Sequence, residues 1–532
     1  MTRLAIVAAA SLLAAACAIP LDPPPAGAPD GNDPPRQGGV LRLGSTEDPR
    51  TLDPARGYDT VSWSFEQMLF NTLVNYDEGT SIVPELAESW TTSPDGRLVR
   101  FVLRRDVHFS TGRPFTSADV KYSVERLLRP AIHSQGAEFF HGIEGAEDYI
   151  AGKTREVRGI RMPSLDAVEF ALTDADPLFL HKLTMPFAAV VEREAAERFG
   201  DEDFARHPVG TGAFVLEEWT YGQRMRLARN PGYFRAGLPY LDGVEVTIGV
   251  SPQLAWLKYQ HGEIDLSGIP SAEYQRVQAD ARYLPLILSR TTVRTQYLGL
   301  NCALPPFDRV PVRQAVNLAI DKQRLLELID GQGVIANGIL PPDMPGAEPV
   351  PGYPHDPAAA RRRLEEAGLA QGFETTLWAS RDEGSMRLAQ SMQQDLRGIG
   401  VALDLKPVDF PALIEAIRHP GMVPLFLLGW EADFPDPSNF LTVLLHSRSR
   451  DTNNNTFYAN PEVDRLLDTA AQVLEPARRF RLFHEAEVLI MRDAPWVPLF
   501  HPAGAVVRHP RVRDYKLHPL RPSRIETAWL AW

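Results

Sequence analysis

Two cysteines, Cys17 and Cys302, are all that a chain of 532 residues contains. So few thiols exclude a disulfide framework and a cysteine-rich zinc site. The thirteen histidines show no ligand-like spacing. HEAEV at 484–488 begins like a metalloprotease helix, but Val488 stands where a second imidazole is required. GTGAFV at 210–215 resembles a dinucleotide loop, yet it runs into the strand-like FVLEEW and offers no helix N-terminus for phosphate. A P-loop and a G-x-S-x-G elbow are both missing. Beyond the N-terminus there is no apolar run long enough to span a bilayer. Nothing in these residues asks for an enzyme, a metal or a cofactor.

What is present reads as a globular body outside a membrane. Apolar residues make up 44% of the chain and charged residues 23%, with a formal net charge of −13. That length and balance suit about two to four structural units. The acidic surface argues against nucleic acid as a partner. MTRLAIVAAASLLAAAC has one basic residue, an apolar and small-residue stretch, then Cys17. It reads as a signal peptide over 1–16, with Cys17 lipidated as the first mature residue. The competing reading is an ordinary signal cut at a nearby A-x-A site. Residues 18–39 are dominated by proline and glycine and read as a flexible tether. Cys302, left alone in an apolar context, is expected to be a small buried side chain.

Along the body, helices are expected at 62–74, 116–128, 312–330, 358–367, 462–474 and 477–492. Thr116 and Asp119 are placed to cap the second of these. Strands are expected at 40–54, 98–109, 243–250, 293–302, 375–379, 401–408 and 422–429. This mixture predicts α/β architecture. The last of these strands leads into GWEADFPDP (429–437), where three carboxylates, a tryptophan and two prolines crowd together after a core element.

Several stretches, taken in order, resemble the extracytoplasmic solute-binding proteins of peptide-type ABC transporters (the oligopeptide- and dipeptide-binding group, solute-binding family 5). They are TLDPA (51–55), FEQMLFNTLV (65–74) and PELAESWTTSPDGRLVRFVLRRDVHFSTGRPFTSADVKYSVER (84–126). HPVGTGAFVLEEW (207–219), RNPGYF (229–234) and PFDRVPVRQAVNLAIDKQRLL (306–326) follow, then GWEADFPDPSNFL (429–441) and NPEVDRLLDTA (460–470).

The resemblance implies a bilobed periplasmic-binding-protein-like fold of the class II type, with an additional small α+β domain. One lobe would be discontinuous, from 40–61, 186–290 and 500–532. The extra domain would occupy 62–185 and the second lobe 291–499. Crossings near 288–296 and 496–502 would form the hinge. The implied function is capture of a peptide or peptide-like ligand and delivery to an ABC permease, by a monomer held at the membrane through its N-terminal lipid.

The same resemblance assigns Asp433 to the ligand's α-ammonium, against a plain turn or helix-start carboxylate, and Trp430 to an aromatic wall, with core packing as the rival. It brings the main chain near Tyr58 and Thr60 beside the ligand, and Glu431 is expected to contribute backbone, not carboxylate. Tyr297 and Asn301 share a strand face and stand between ligand contact and hinge structure. Asp436, between two prolines, reads as a turn or capping residue. Arg448 and Arg450 are candidates for a ligand carboxylate against the commoner surface role. NNNTF (453–457) would cap the pocket or face solvent. The alternatives are a non-peptide solute (an oligosaccharide, a nickel chelate or an opine-like molecule) and, further off, an envelope hydrolase.

Overall fold

A computed structural model of the chain describes residues 34–520 and 524–531. The expected signal peptide, Cys17 and most of the tether lie outside the described residues. No described helix is long and apolar enough to cross a membrane.

Three sheets, each with its own core, organise the chain as a bilobed α/β fold. The first has four strands, Val40–Ser45, Gly243–Ile248, Arg224–Arg229 and Phe214–Thr220, in that spatial order. Val40–Ser45 runs parallel to Gly243–Ile248 and the remaining pairs are antiparallel. Alternation buries Leu41, Val244, Val246, Met225 and Leu227 against Phe65, Met68 and Leu69 of the helix Thr60–Leu69. That helix starts earlier and ends sooner than its apolar spacing suggested, because Asp59 caps it and Phe70 is already extended.

A second, antiparallel sheet comprises Ala87–Thr92, Leu98–Leu103, Ala167–Ala171 and Ile160–Ser164. Helix Ser117–Leu128 packs on it through Val120, Val124 and Leu127. Its start is a capping box in which Asp119 accepts from the Thr116 backbone N–H at 2.9 Å. From the same helix, Arg126 reaches Asp53 of the TLDPA turn with two 2.7 Å hydrogen bonds, both side chains fully buried. This pair fastens the second sheet's unit to the first.

The third sheet runs Trp496–Arg508, Arg294–Leu300, Leu425–Glu431, Phe373–Ser380, Val401–Val408. The expected helix at 312–330 is two helices, Val310–Ala319 and Lys322–Leu328. Ile320 adopts extended backbone and Asp321 caps the second helix, its carboxylate accepting from the Arg324 N–H at 3.2 Å.

Trp496–Arg508 links two of these cores. Val497, Leu499 and Phe500 sit in the core of the third sheet, whereas Val506 and Val507 pack with the first half of the molecule. Its early residues pair with Arg294–Leu300 and its later ones with Ile287–Thr291. Both passages of the chain between the halves are therefore strands hydrogen-bonded to each other.

Candidate functional site

The site grows out of the end of strand Leu425–Glu431. Its residues 425–428 are all buried, and each long side of the strand is paired. Pairing of this kind fixes the position at which the chain leaves the sheet. Ala432 N–H still donates to Val293 O at 3.0 Å, and helix Ser438–Leu445 begins a few residues on.

Asn439, in the first turn of that helix and 2% exposed, organises the segment. Its Oδ1 accepts from Trp430 Nε1 at 3.1 Å and from the Asp433 backbone N–H at 3.2 Å. Its Nδ2 donates to Asp433 Oδ2 at 3.3 Å. The Tyr58 hydroxyl, from the opposite half of the molecule, faces the Asp433 carboxylate closely enough to bear on its pKa. Burial pushes the Asp433 pKa up, and Asn439 and Tyr58 offset it only in part. Among the described residues no cation pairs with Asp433.

Asp436 is in a different position. Arg479 binds both of its oxygens, Nη2 to Oδ1 at 2.8 Å and Nη1 to Oδ2, with both side chains buried. Burial raises its pKa, but the Arg479 hydrogen bonds and charge outweigh that and hold it below the usual carboxylate range. It also receives Ser438 N–H at 2.9 Å, which is the turn role expected of it.

Across from Asp433, Tyr58 lies in the short connection before helix Thr60–Leu69. Its ring stacks on Phe187 at 5.9 Å and meets the edge of Trp63 at 5.5 Å. Burial, then the Asp433 charge, raise its hydroxyl pKa, so it stays a donor. His181 and Phe434 make a second contact between the halves, their ring centroids 6.2 Å apart.

Thr60 and Glu431, each two residues along from this pair, both line a cavity of about 540 Å³. Thr60 and Glu431 are exposed, and Thr292 from the crossing joins them. Glu431 thus belongs to the cavity's lining.

The remaining candidates are not brought to this place. Tyr297 is 2% exposed and stacks on Trp496 at 3.5 Å with rings 4° from parallel, a core position. Asn301 is 1% exposed, its amide donating to Pro420 O and Val423 O at 2.9 Å each. Both are structural, because the strand face they share turns to the core and not to the cleft. Trp430 is half-buried, packs on the core beneath it and does not line the cavity.

Arg448 is exposed and paired with Asp468 at 2.9 Å, and Arg450 donates to Tyr458 O at 3.3 Å. The 453–457 loop neither caps the cavity nor simply faces solvent. Asn454 and Thr456 are buried, and Asn454 bonds His446 O and Tyr458 O. Cys302 is partly buried, and burial raises its thiol pKa to about 11.

Missed by the sequence reading were Asn439 and the segment around Tyr515 and His518, which forms one cavity wall. Asn439 carries only the weak signal of a polar residue one position into a helix. Nothing periodic marks 515–520.

Two lobes joined by paired strands, with a buried carboxylate facing the opposite lobe beside a cavity, define a solute-binding protein. The profile of bacterial extracellular solute-binding proteins, family 5 Middle, matches residues 81–452. The chain belongs to this family. It is 30% identical over 457 residues to glutathione-binding protein GsiB of Salmonella choleraesuis, covering 84% of this chain and 86% of that one. Heme-binding protein A of Haemophilus influenzae is 31% identical over 494 residues, with 88% of each covered. Among solved structures, clavulanic acid biosynthesis oligopeptide binding protein 2 aligns with a TM-score of 0.84 and 29% identity. That alignment covers 93% of this chain and 96% of the other.

Proposed function

We propose that this protein captures a peptide or peptide-like ligand between its two lobes and delivers it to an ABC importer. Asp433 pairs with the ligand's ammonium. The observation that carries this is a buried carboxylate held in place by neutral donors, with no cation beside it among the described residues. A carboxylate offers about four lone-pair sites, so donors already present leave room for an ammonium. Removing a ligand's charge from water is costly unless a fixed opposite charge meets it. The backbone around Tyr58 and Thr60 runs beside the ligand, as a strand-addition partner would.

Each lobe keeps a core of its own, so closure over a ligand depends on what the ligand adds. The division into 40–61, 186–290 and 500–532, with 62–185 inserted and 291–499 as the second lobe, is supported by the three separate cores. Cys17 serves as the lipid attachment point, and Cys17→Ser is expected to move the protein from the membrane fraction to the soluble one. The names of the glutathione- and oligopeptide-binding relatives support an ammonium-bearing ligand. A non-peptide solute is the second reading, favoured by the heme-binding relative.

Native mass spectrometry of freshly purified protein tests the assignment by weighing what travels with it. A bound peptide mass supports it, and a neutral saccharide or a porphyrin as the sole adduct overturns it.

A further inference from the structure

The 53–59 segment that carries Tyr58 is built over a carboxyl group that the ligand site does not use. Glu66, on the helix Thr60–Leu69, is 1% exposed, and among the described residues neither of its oxygens has a hydrogen-bond partner. A Cβ at Gly57 would collide with Cδ, Oε1 and Oε2 of Glu66, so the main chain next to Tyr58 rests directly on this group. A buried polar group without a partner costs free energy, and a charged one costs far more.

Two carboxylates of the same segment face it, Asp53 and Asp59. Nearby cations are committed elsewhere. Arg126 binds Asp53 and Asp201, and Arg56 binds Asp201 O and Glu202. Of the elements packed most closely on the helix, Pro186–Ala188 has no charged residue, and Phe214–Thr220 pairs Glu217 and Glu218 with Arg226 and Arg224. Burial, then the charges of Asp53 and Asp59, push the Glu66 pKa well above the usual carboxylate range, so the group is a neutral acid at neutral pH.

Ionised, Glu66 needs water or a donor, and only part of its surroundings can give way. Asp53 is locked by two 2.7 Å bonds from Arg126, and Ala55 N–H reaches it at 3.2 Å. The 56–59 stretch is held more lightly: Gly57 N–H donates to Asp53 O at 3.0 Å and Gly57 O accepts from Trp63 Nε1 at 3.2 Å. Tyr58 lies in the part that would move. Resting on the reading of Asp433 and Tyr58 given above, we propose that Glu66 is a positioning residue, which keeps Tyr58 in the ligand-binding arrangement only while its own carboxyl group is uncharged. Alkaline medium then loosens ligand capture. The ligand-bound turn retains the Glu66 proton and the loosened turn releases it, so Kd rises with pH, by at most about tenfold per pH unit for one proton.

Calorimetry of one binding peptide against the full chain and against Glu66→Gln, at neutral pH and at about pH 10, tests this. The peptide's own ammonium also loses its proton over that range, and the ratio of the two Kd values cancels the effect. Wild type over variant is expected to be close to one at neutral pH and about threefold or more at the higher pH. Glu66→Met, uncharged and of similar size, should behave as Glu66→Gln does and serves if the buried amide disturbs folding. Hydrogen exchange over 53–60 in the ligand-free proteins gives a second measurement, with strand Leu98–Leu103 as the internal reference. As pH rises, exchange over 53–60 should speed up more in the wild type than in either variant.

A Kd ratio that stays constant with pH would overturn the role of Glu66 while leaving Asp433 as the ligand's anchor. Failure of every peptide to bind at neutral pH would overturn the Asp433 reading and, with it, the link from Glu66 to capture.

Discussion

Three carboxylates within six residues have three fates, and each is decided by what its oxygens meet. Glu431 is exposed at the cavity, Asp433 is buried with neutral donors, and Asp436 is buried against Arg479. Asp433→Asn keeps the shape and removes the charge. Peptide Kd is expected to rise about tenfold to a hundredfold, the loss of a charge-assisted bond of about 1.5–3 kcal/mol. Arg479→Ala should leave ligand chemistry alone but strand Asp436 as a buried unpaired charge. Denaturant unfolding is expected to read a loss of about 3–5 kcal/mol.

Glu487 offers a pH test. It is 1% exposed, and its Oε1 accepts from Ile339 N–H at 2.7 Å and Leu340 N–H at 3.0 Å. Burial outweighs those bonds and raises its pKa from 4.5 to about 7. Between these values the folded state holds a proton that the unfolded chain has lost. Its contribution is therefore full below the lower value and disappears as pH rises through the upper one, by about 3 kcal/mol. Glu487→Gln should remove that slope. Measuring the variant against the wild type at each pH isolates it from His501, which burial lowers to about 4.

Asp433 was singled out by the resemblance of its stretch to a family motif, not by composition or periodicity. Asn439 was not, since a neutral amide at a helix start reads as an ordinary cap. Tyr297 and Asn301 were left between ligand contact and hinge structure because a period of two tells which residues share a face, not where that face points.

At the scale of elements, caps and breaks set how the site is presented. Asp59 accepts from Ser62 N–H and Ser62 Oγ, each at 2.8 Å, and so holds the start of the helix that lines the cavity. Asp59→Ala should cost about 1 kcal/mol in chemical unfolding. The cap of helix Ser117–Leu128 could be read directly from Thr116 and Asp119. The break at Ile320 could not, because apolar spacing continues across it and only Asp321 hints at a new start. The thirteen-residue strand Trp496–Arg508 was also hidden, since Pro498 and Pro502 lie inside it and suggest interruption. Pairing on its edges with several partners overrides that local preference.

For the whole molecule, the fold class was legible from the mixture of strands and helices and from ordered family motifs. The cavity was not, because its walls come from segments hundreds of residues apart in the chain. Tyr58 and Asp433 face one another across the two halves, which predicts a part for the phenol in closure over a ligand. Tyr58→Phe is expected to weaken peptide affinity about fivefold, one neutral hydrogen bond of about 1 kcal/mol. Small-angle scattering should show a smaller fall in radius of gyration on peptide addition than in the wild type.

The most direct test of the central claim is a thermodynamic cycle by calorimetry, using one binding peptide with a free amino terminus and its N-acetyl form. Each is titrated into the wild type and into Asp433→Asn. Acetylation should weaken binding to the wild type by about tenfold or more and make little difference to the variant. An equal penalty in both proteins would mean that the ligand's ammonium does not meet Asp433.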